Sequence, residues 1–173
     1  MPLDVDALTV DGEWVRHAPH RSVLLGRSSV PTDGRWQRGQ TVGALYLADE
    51  RGTAVAEWYR YLAERGLPPA HAIPHDHHLW SVQIDVANLS DSDRLARVGL
   101  DPPMPTRRTW PRFQDVGEAL WRGGWGGLVA PSAARADHLV LCVFTPTWPP
   151  EGCTPLRSIE VAKLPPPPPD LRS

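Results

Sequence analysis

From Glu13 to Ala18 and again from Thr41 to Ala48, β-branched and aromatic residues recur at the short period of strands, and the Gly/Ser/Pro/Arg-rich stretch from Gly26 to Gly39 separates them as an ordered loop. After Asp49 the period lengthens. Ala54, Val55, Trp58, Tyr61 and Leu62 fall on one helical face, with Asp49 as the expected cap and Gly66 and Pro68-Pro69 as the stop. His71 to His78 reads as a loop, and beyond it Trp80, Val82, Ile84 and Val86 alternate with Ser81, Gln83 and Asp85 as in a half-buried strand. A short helix is expected around Asp91 to Val98. Phe113, Val116, Gly117, Leu120 and Trp121 predict another behind Pro111, ended by Gly123-Gly124. Gly127 to Ala130 and His138 to Thr145 read as strands, the second apolar on both faces and so central, with Ser132 in their connection. Leu156 to Leu164 fits an edge strand, and Pro165 to Pro169 an extended, solvated tail. Strands interrupted irregularly by helices predict an α+β fold: a single domain with a mixed, mainly antiparallel sheet flanked by helices. The chain divides into an N-terminal segment (1–12), a domain (13–164) and the Pro-rich tail (165–173).

Composition narrows the chemistry. The chain has 173 residues and a formal net charge of -2, enough for one core of moderate size. Its basic residues are arginines except Lys163, so no P-loop can form, and neither a dinucleotide G-x-G-x-x-G nor a G-x-S-x-G elbow occurs. The charges are scattered without a basic stripe, which argues against nucleic acid as a partner. Met1 to Gly12 is acidic and lacks an apolar signal region, and the apolar run Leu139 to Phe144 is too short to span a bilayer, so a cytoplasmic protein without membrane association is expected. Cys142 and Cys153 read as free thiols. Eight tryptophans are many for this length; most are expected to fill the core, and some to line a pocket.

His75-Asp76-His77-His78 offers zinc-ligand chemistry, but its spacing is not that of a helical H-E-x-x-H and it lies in an expected Pro-bounded loop, so no metal site is assigned. Glu57 stands beside the apolar stripe of the first helix, either at the edge of a solvated face or turned into a cleft. Ser132 fits a simple turn or cap.

The order of the motifs is more specific. Trp14-Val15-Arg16, Gly34-Arg35-Trp36, Leu45-Tyr46-Leu47-Ala48, Thr53-Ala54-Val55-Ala56-Glu57 and Gly126-Gly127-Leu128-Val129-Ala130-Pro131-Ser132 together resemble the RES domain family, named for an arginine, a glutamate and a serine. The resemblance runs from about Trp14 to Thr145. Gln37 departs from an asparagine common in the family, and Ala130 from a frequent aromatic; both bear on the shape of the pocket.

The resemblance implies an ADP-ribosyltransferase-like fold and the toxin half of a toxin-antitoxin pair, which depletes NAD by cleaving the nicotinamide-ribose bond through hydrolysis or phosphorolysis. It places Glu57, Tyr46 and Ser132 in catalysis and Arg16, Arg35, Tyr46 and Ser132 in NAD binding, with NAD as substrate and no prosthetic group. It also implies a cognate antitoxin with a helix-turn-helix domain, and it allows a homo-oligomer. The residue types suit this chemistry, since arginine forks bind diphosphate oxygens in pairs, a tyrosine ring lies against nicotinamide, and a carboxylate stabilises an oxocarbenium-like ribose. Ser132 could hold the nicotinamide amide, a ribose hydroxyl or the carboxylate itself. The alternatives are a protein ADP-ribosyltransferase using the same site and a non-catalytic binding domain.

Overall fold

In the computed structural model, which describes residues 3–27 and 30–172, two long strands carry the architecture. β1 (Asp6–Pro19) and β3 (His75–Asn88) pair antiparallel along their whole length, from Asp6 opposite Asn88 to Pro19 opposite His75. β2 (Ala44–Ala48), β4 (Gly127–Pro131), β5 (Leu139–Phe144) and β6 (Cys153–Val161) complete a sheet of order β1-β2-β5-β4-β3-β6. Since β1 also pairs with β3, the first five strands of that order close on themselves. Among the described residues every strand pairing is antiparallel except β3 with β4, so the sheet is mixed and mainly antiparallel.

Alternation along these strands divides the apolar residues between two cores. Val10, Trp14, Leu47, Trp80, Val82, Leu141 and Val143 fill the interior of the closed strands. The opposite faces of β2, β4 and β5, with Leu128, Cys142 and Phe144, pack under α2 (Ser92–Arg97) and α3 (Trp110–Arg122) through Leu95, Phe113 and Leu120. α1 (Arg51–Glu64) buries Ala54, Trp58 and Leu62 and lies against β1 and β2. β5 is central and β6 is an edge, as the sequence predicts. The helices fall within a residue or two of their expected bounds.

Four expectations change. The first strand starts at Asp6, so residues placed in a separate N-terminal segment belong to the sheet; Arg97 holds Asp4 at 2.8 Å and Asp6 at 2.7 Å. Asp49 does not cap α1. Glu50 occupies that position, while the Asp49 carboxylate accepts from the Leu139 N–H at 2.9 Å. Residues 165–172 are docked on the domain instead of forming a solvated tail, because their backbone finds partners in the 134–135 turn and on α1.

The largest change concerns His75 to His78, which open β3 and are buried instead of forming a loop. Their backbone is satisfied on both sides, by β1 and by β6. The side chains alternate: His75 stacks on Trp58 with centroids 4.3 Å apart and meets the edge of His77. Asp76 and His78 instead anchor the turn after β1, through the Arg21 N–H at 2.8 Å and Ser22 Oγ at 3.2 Å. The sequence pattern hides this strand because imidazole counts as polar, although a neutral ring packs as an aromatic one.

Neither nitrogen of His75 or His77 has a hydrogen-bond partner among the described residues. Burial, and then neighbouring positive groups, push His17 down to about 3 and His77 down to about 4. These rings are neutral when folded and take up protons when unfolded below the ordinary histidine value, so stability should fall as the pH drops from about 6.5 toward 4, by about 1.4 kcal/mol per pH unit for each histidine. Urea midpoints measured across that range check this: His77→Leu should show a shallower decline than the parent, and parallel declines would remove His77 as a cause.

Candidate active site

The cleft opens between α1, the cleft-facing ends of β1 and β2, and the loop from Pro31 to Gln37, with a volume of about 740 Å³. Its walls carry six arginines, Arg16, Arg27, Arg35, Arg60, Arg65 and Arg107, against three acids, Asp33, Glu57 and Glu64. The excess of positive charge suits an anionic ligand. Trp36, Trp58, Trp110 and Trp148 line it as well, so half of the eight tryptophans serve a pocket.

Glu57 lies on the buried flank of α1, and its two carboxylate oxygens have different owners. Oε1 accepts from Ser132 Oγ at 2.8 Å, and Oε2 from Arg60 Nε at 2.8 Å. Arg60, one helical turn on, also reaches Glu64, which Arg107 approaches at 3.6 Å. Burial works against the Arg60 charge, but Glu57 and Glu64 outweigh it and hold its proton more firmly than usual. The i, i+3 spacing to Glu57 is the sequence signal for this residue, and it is a weak one because such pairs are common on solvated helix faces.

Ser132 is fully buried behind the wall of the cleft. Besides donating to Glu57, its Oγ accepts from the Ala134 and Arg135 N–H groups, both at 3.1 Å. Donor and acceptor capacity are both engaged, so of the three roles open to this hydroxyl the geometry matches one: holding the carboxylate.

Arg35 is 6% exposed. Its Nη2 donates to the Met104 carbonyl at 2.9 Å, its Nη1 has no hydrogen-bond partner among the described residues, and its guanidinium packs over Phe113 and Trp110. Burial above all, and then Arg60, push it down to about 10. Arg16 is half-buried and meets no carboxylate among the described residues; burial lowers it too. Unlike Arg60, neither forms an ion pair among the described residues, although Glu57 and Glu64 support the Arg35 charge from a distance.

Tyr46 projects from β2 toward the 34–37 turn. Its hydroxyl donates to Gln37 Oε1 at 2.8 Å and accepts from the Trp36 N–H at 3.0 Å, while Gln37 Nε2 donates to the Thr32 carbonyl. Burial, and then Cys142, raise this phenol well above its usual value, so it stays protonated. With the hydroxyl fixed, the ring is held against the cleft. The approach requires glycine at Gly34, where a Cβ would collide with Tyr46 Oη, and at Gly117, where α3 closes on the Trp36 carbonyl. Gln37, a departure from the family pattern in the sequence, is thus the residue that sets the tyrosine.

Arg16, Arg35, Tyr46 and Glu57 therefore face one cleft, with Ser132 behind Glu57. Sequence reasoning missed Arg60 and His17, and it expected some tryptophans in a pocket without saying which. His71, His75, His17 and His20 also contribute to the lining, but among the described residues no group of three or more His, Cys, Asp or Glu is arranged to hold a metal ion. No helix among them is long and apolar enough to cross a membrane.

The family model described as RES domain matches residues 10–155. A chain of the "M.tuberculosis MbcT-MbcA toxin-antitoxin complex" superposes with a TM-score of 0.76 at 21% identity, covering 90% of this chain and 87% of that one. The likeness shows a shared fold. No curated protein matches the chain.

Removing the Ser132 hydroxyl would leave the buried Ala134 N–H and its neighbour without an acceptor. Ser132→Ala should therefore cost about 1–3 kcal/mol of stability in urea unfolding, more than a surface serine does. An unfolding midpoint equal to that of the parent would contradict the geometry described for this residue.

Proposed function

The chain belongs to the RES domain family, and from that premise we propose that it is the toxin of a toxin-antitoxin pair, acting in the cytoplasm by cleaving NAD between nicotinamide and ribose. One observation carries the reading: a carboxylate oriented by two donors stands in a cleft where two arginines form no ion pair among the described residues. Such an arrangement leaves positive charge free for a diphosphate and places fixed negative charge beside it.

In this reading Arg16 and Arg35 take the diphosphate, Arg35 with the Nη1 N–H that has no protein partner. The Tyr46 ring lies along the nicotinamide. As the bond to the ring nitrogen lengthens, the departing cation takes the bonding electrons and becomes neutral nicotinamide. The ribose carbon gains positive charge, which Glu57 stabilises through space. Ser132 and Arg60 fix the direction of the carboxylate, so little reorganisation accompanies the reaction. Water or inorganic phosphate then adds to the ribose carbon and releases a proton to solvent.

A partner follows from the same reading. The neighbouring fold comes from a toxin-antitoxin complex, and a cleft that degrades a central metabolite has to be covered until it is needed. The partner proposed is a cognate antitoxin with a helix-turn-helix domain.

Two variants separate binding from bond breaking. Arg35→Ala removes a charge-assisted contact made throughout the reaction, so it should raise KM for NAD by the equivalent of about 1.5–3 kcal/mol with a smaller change in kcat. Glu57→Gln should lower kcat by orders of magnitude, about 10²-fold or more, and leave KM close to the parent. Mass spectrometry of NAD and nicotinamide after incubation with antitoxin-free protein, with and without phosphate, reads both variants and identifies the acceptor. Intact NAD with the folded parent under all conditions would sink the proposal, and parental turnover by Glu57→Gln would remove that residue from the chemistry.

A further inference from the structure

The segment 165–172 lies beyond the stretch matched to the family, yet it is tied to the elements that set Glu57. Asp170 accepts from Arg135 Nε at 2.9 Å, Leu171 forms a β-bridge with Arg135, and the Arg172 N–H donates to the Ala134 carbonyl at 2.8 Å. At the other end, Tyr59 Oη, two residues after Glu57 on α1, donates to the Pro165 carbonyl at 2.6 Å. Arg135 reaches onward to Glu50 at the start of α1 and to Thr53 Oγ1 at 3.3 Å. One side chain thus joins the C-terminal segment, the turn after Ser132 and the helix that carries Glu57.

The segment thus holds the Ala134 carbonyl and the Arg135 side chain, and the N–H groups of these two residues are the ones that donate to Ser132 Oγ, whose hydroxyl donates to Glu57 Oε1. We infer that Asp170 and Arg135 are positioning residues for Glu57: the docked segment holds the 132–135 turn so that the serine hydroxyl meets the carboxylate at one fixed place. The inference rests on the proposed NAD chemistry for its catalytic consequence but not for its structural one. Asp170 is about a third exposed and Glu50 about half, so their ion pairs with Arg135 add little to global stability. Their effect is local. Loosening the turn lets the hydroxyl drift, and the carboxylate then points at the reacting carbon for a smaller part of the time.

Asp170→Ala, Asp170→Glu and Tyr59→Phe in the full chain test this. Asp170→Ala should lower kcat for NAD about tenfold with KM within about twofold of the parent, and Asp170→Glu should restore most of the rate. Hydrogen exchange at the Ala134 and Arg135 amides should quicken in Asp170→Ala and, less strongly, in Tyr59→Phe, while the thermal midpoint moves little. Parental kcat and parental exchange at both amides in folded Asp170→Ala would overturn the inference. A rate loss accompanied by a large fall in thermal midpoint and no rescue by glutamate would also overturn it, since that is the behaviour of a merely structural contact. If the parent itself leaves NAD intact, the functional proposal falls. The exchange measurement still decides this one: quickened amides sustain the clamp on the turn, and unchanged amides end it.

Discussion

A carboxylate in a half-buried cleft has to be both satisfied and aimed, and Glu57 meets the two demands with donors from opposite directions: the Ser132 hydroxyl behind it and the Arg60 guanidinium along its own helix. Several local features follow from that arrangement. Ser132 must sit where β4 ends, because only there can its hydroxyl face α1 while its turn folds back toward β5. α1 must lie against β1 and β2 to carry Glu57 to the wall. A hydroxyl that is already saturated by two backbone donors cannot rotate to follow the carboxylate, so the direction of the hydrogen bond is set by the turn.

The arginines divide by the company they keep. Arg60 shares its charge with Glu57 and Glu64, and Arg97 and Arg135 share theirs with acids elsewhere. Arg16 and Arg35 form no ion pair among the described residues and are both depressed by burial, which outweighs the support that Glu57 and Glu64 give Arg35 from a distance. Holding a guanidinium away from water without an ion pair is unfavourable, and a bound anion would offset that cost. Arginine suits this position better than lysine, since its proton survives a downward shift to about 10 and its planar face can rest on Phe113 and Trp110 while an edge stays free.

Much of this was legible in the sequence, for reasons that differ by element. α3 and β5 were plain because apolar period and burial coincide, as at Phe113, Val116 and Leu120 or along Leu139 to Phe144. The five candidate site positions came from the order of short motifs rather than from any single spacing. The start of β3 was hidden because its buried residues are histidines and an aspartate, packed in part on the distant Trp58, and the start of β1 because Asp6 pairs with Arg97, far away in sequence. The docking of residues 165–172 was invisible for the same cause, since a proline run reads as solvated until the turn that receives it is known. The roles of Ser132 and Gln37 needed three dimensions, because a hydroxyl or an amide declares its function only through its partners.

The rival reading, a binding domain without chemistry, is weighed by what this arrangement costs. A surface meant only to hold a partner gains nothing from a serine with no exposed area spending its one proton on a carboxylate at a cleft wall, nor from a buried Arg35 nitrogen left without an acceptor. Replacing the whole hydrogen-bonded set by apolar groups of the same shape would leave stability about unchanged, and the Arg35 nitrogen without a partner among the described residues is a cost. The apolar solution was available, because leucine and valine fill the neighbouring cores with no such penalty. Polar groups that are fixed in direction and grouped around one cleft match the needs of a site where charge develops during a reaction, since a preorganised dipole helps there at the moment the bond breaks. Tyr46 follows the same logic: a phenol kept protonated and tied at its oxygen presents a ring of fixed orientation, which is of use to a flat leaving group and of little use to an adaptable protein interface.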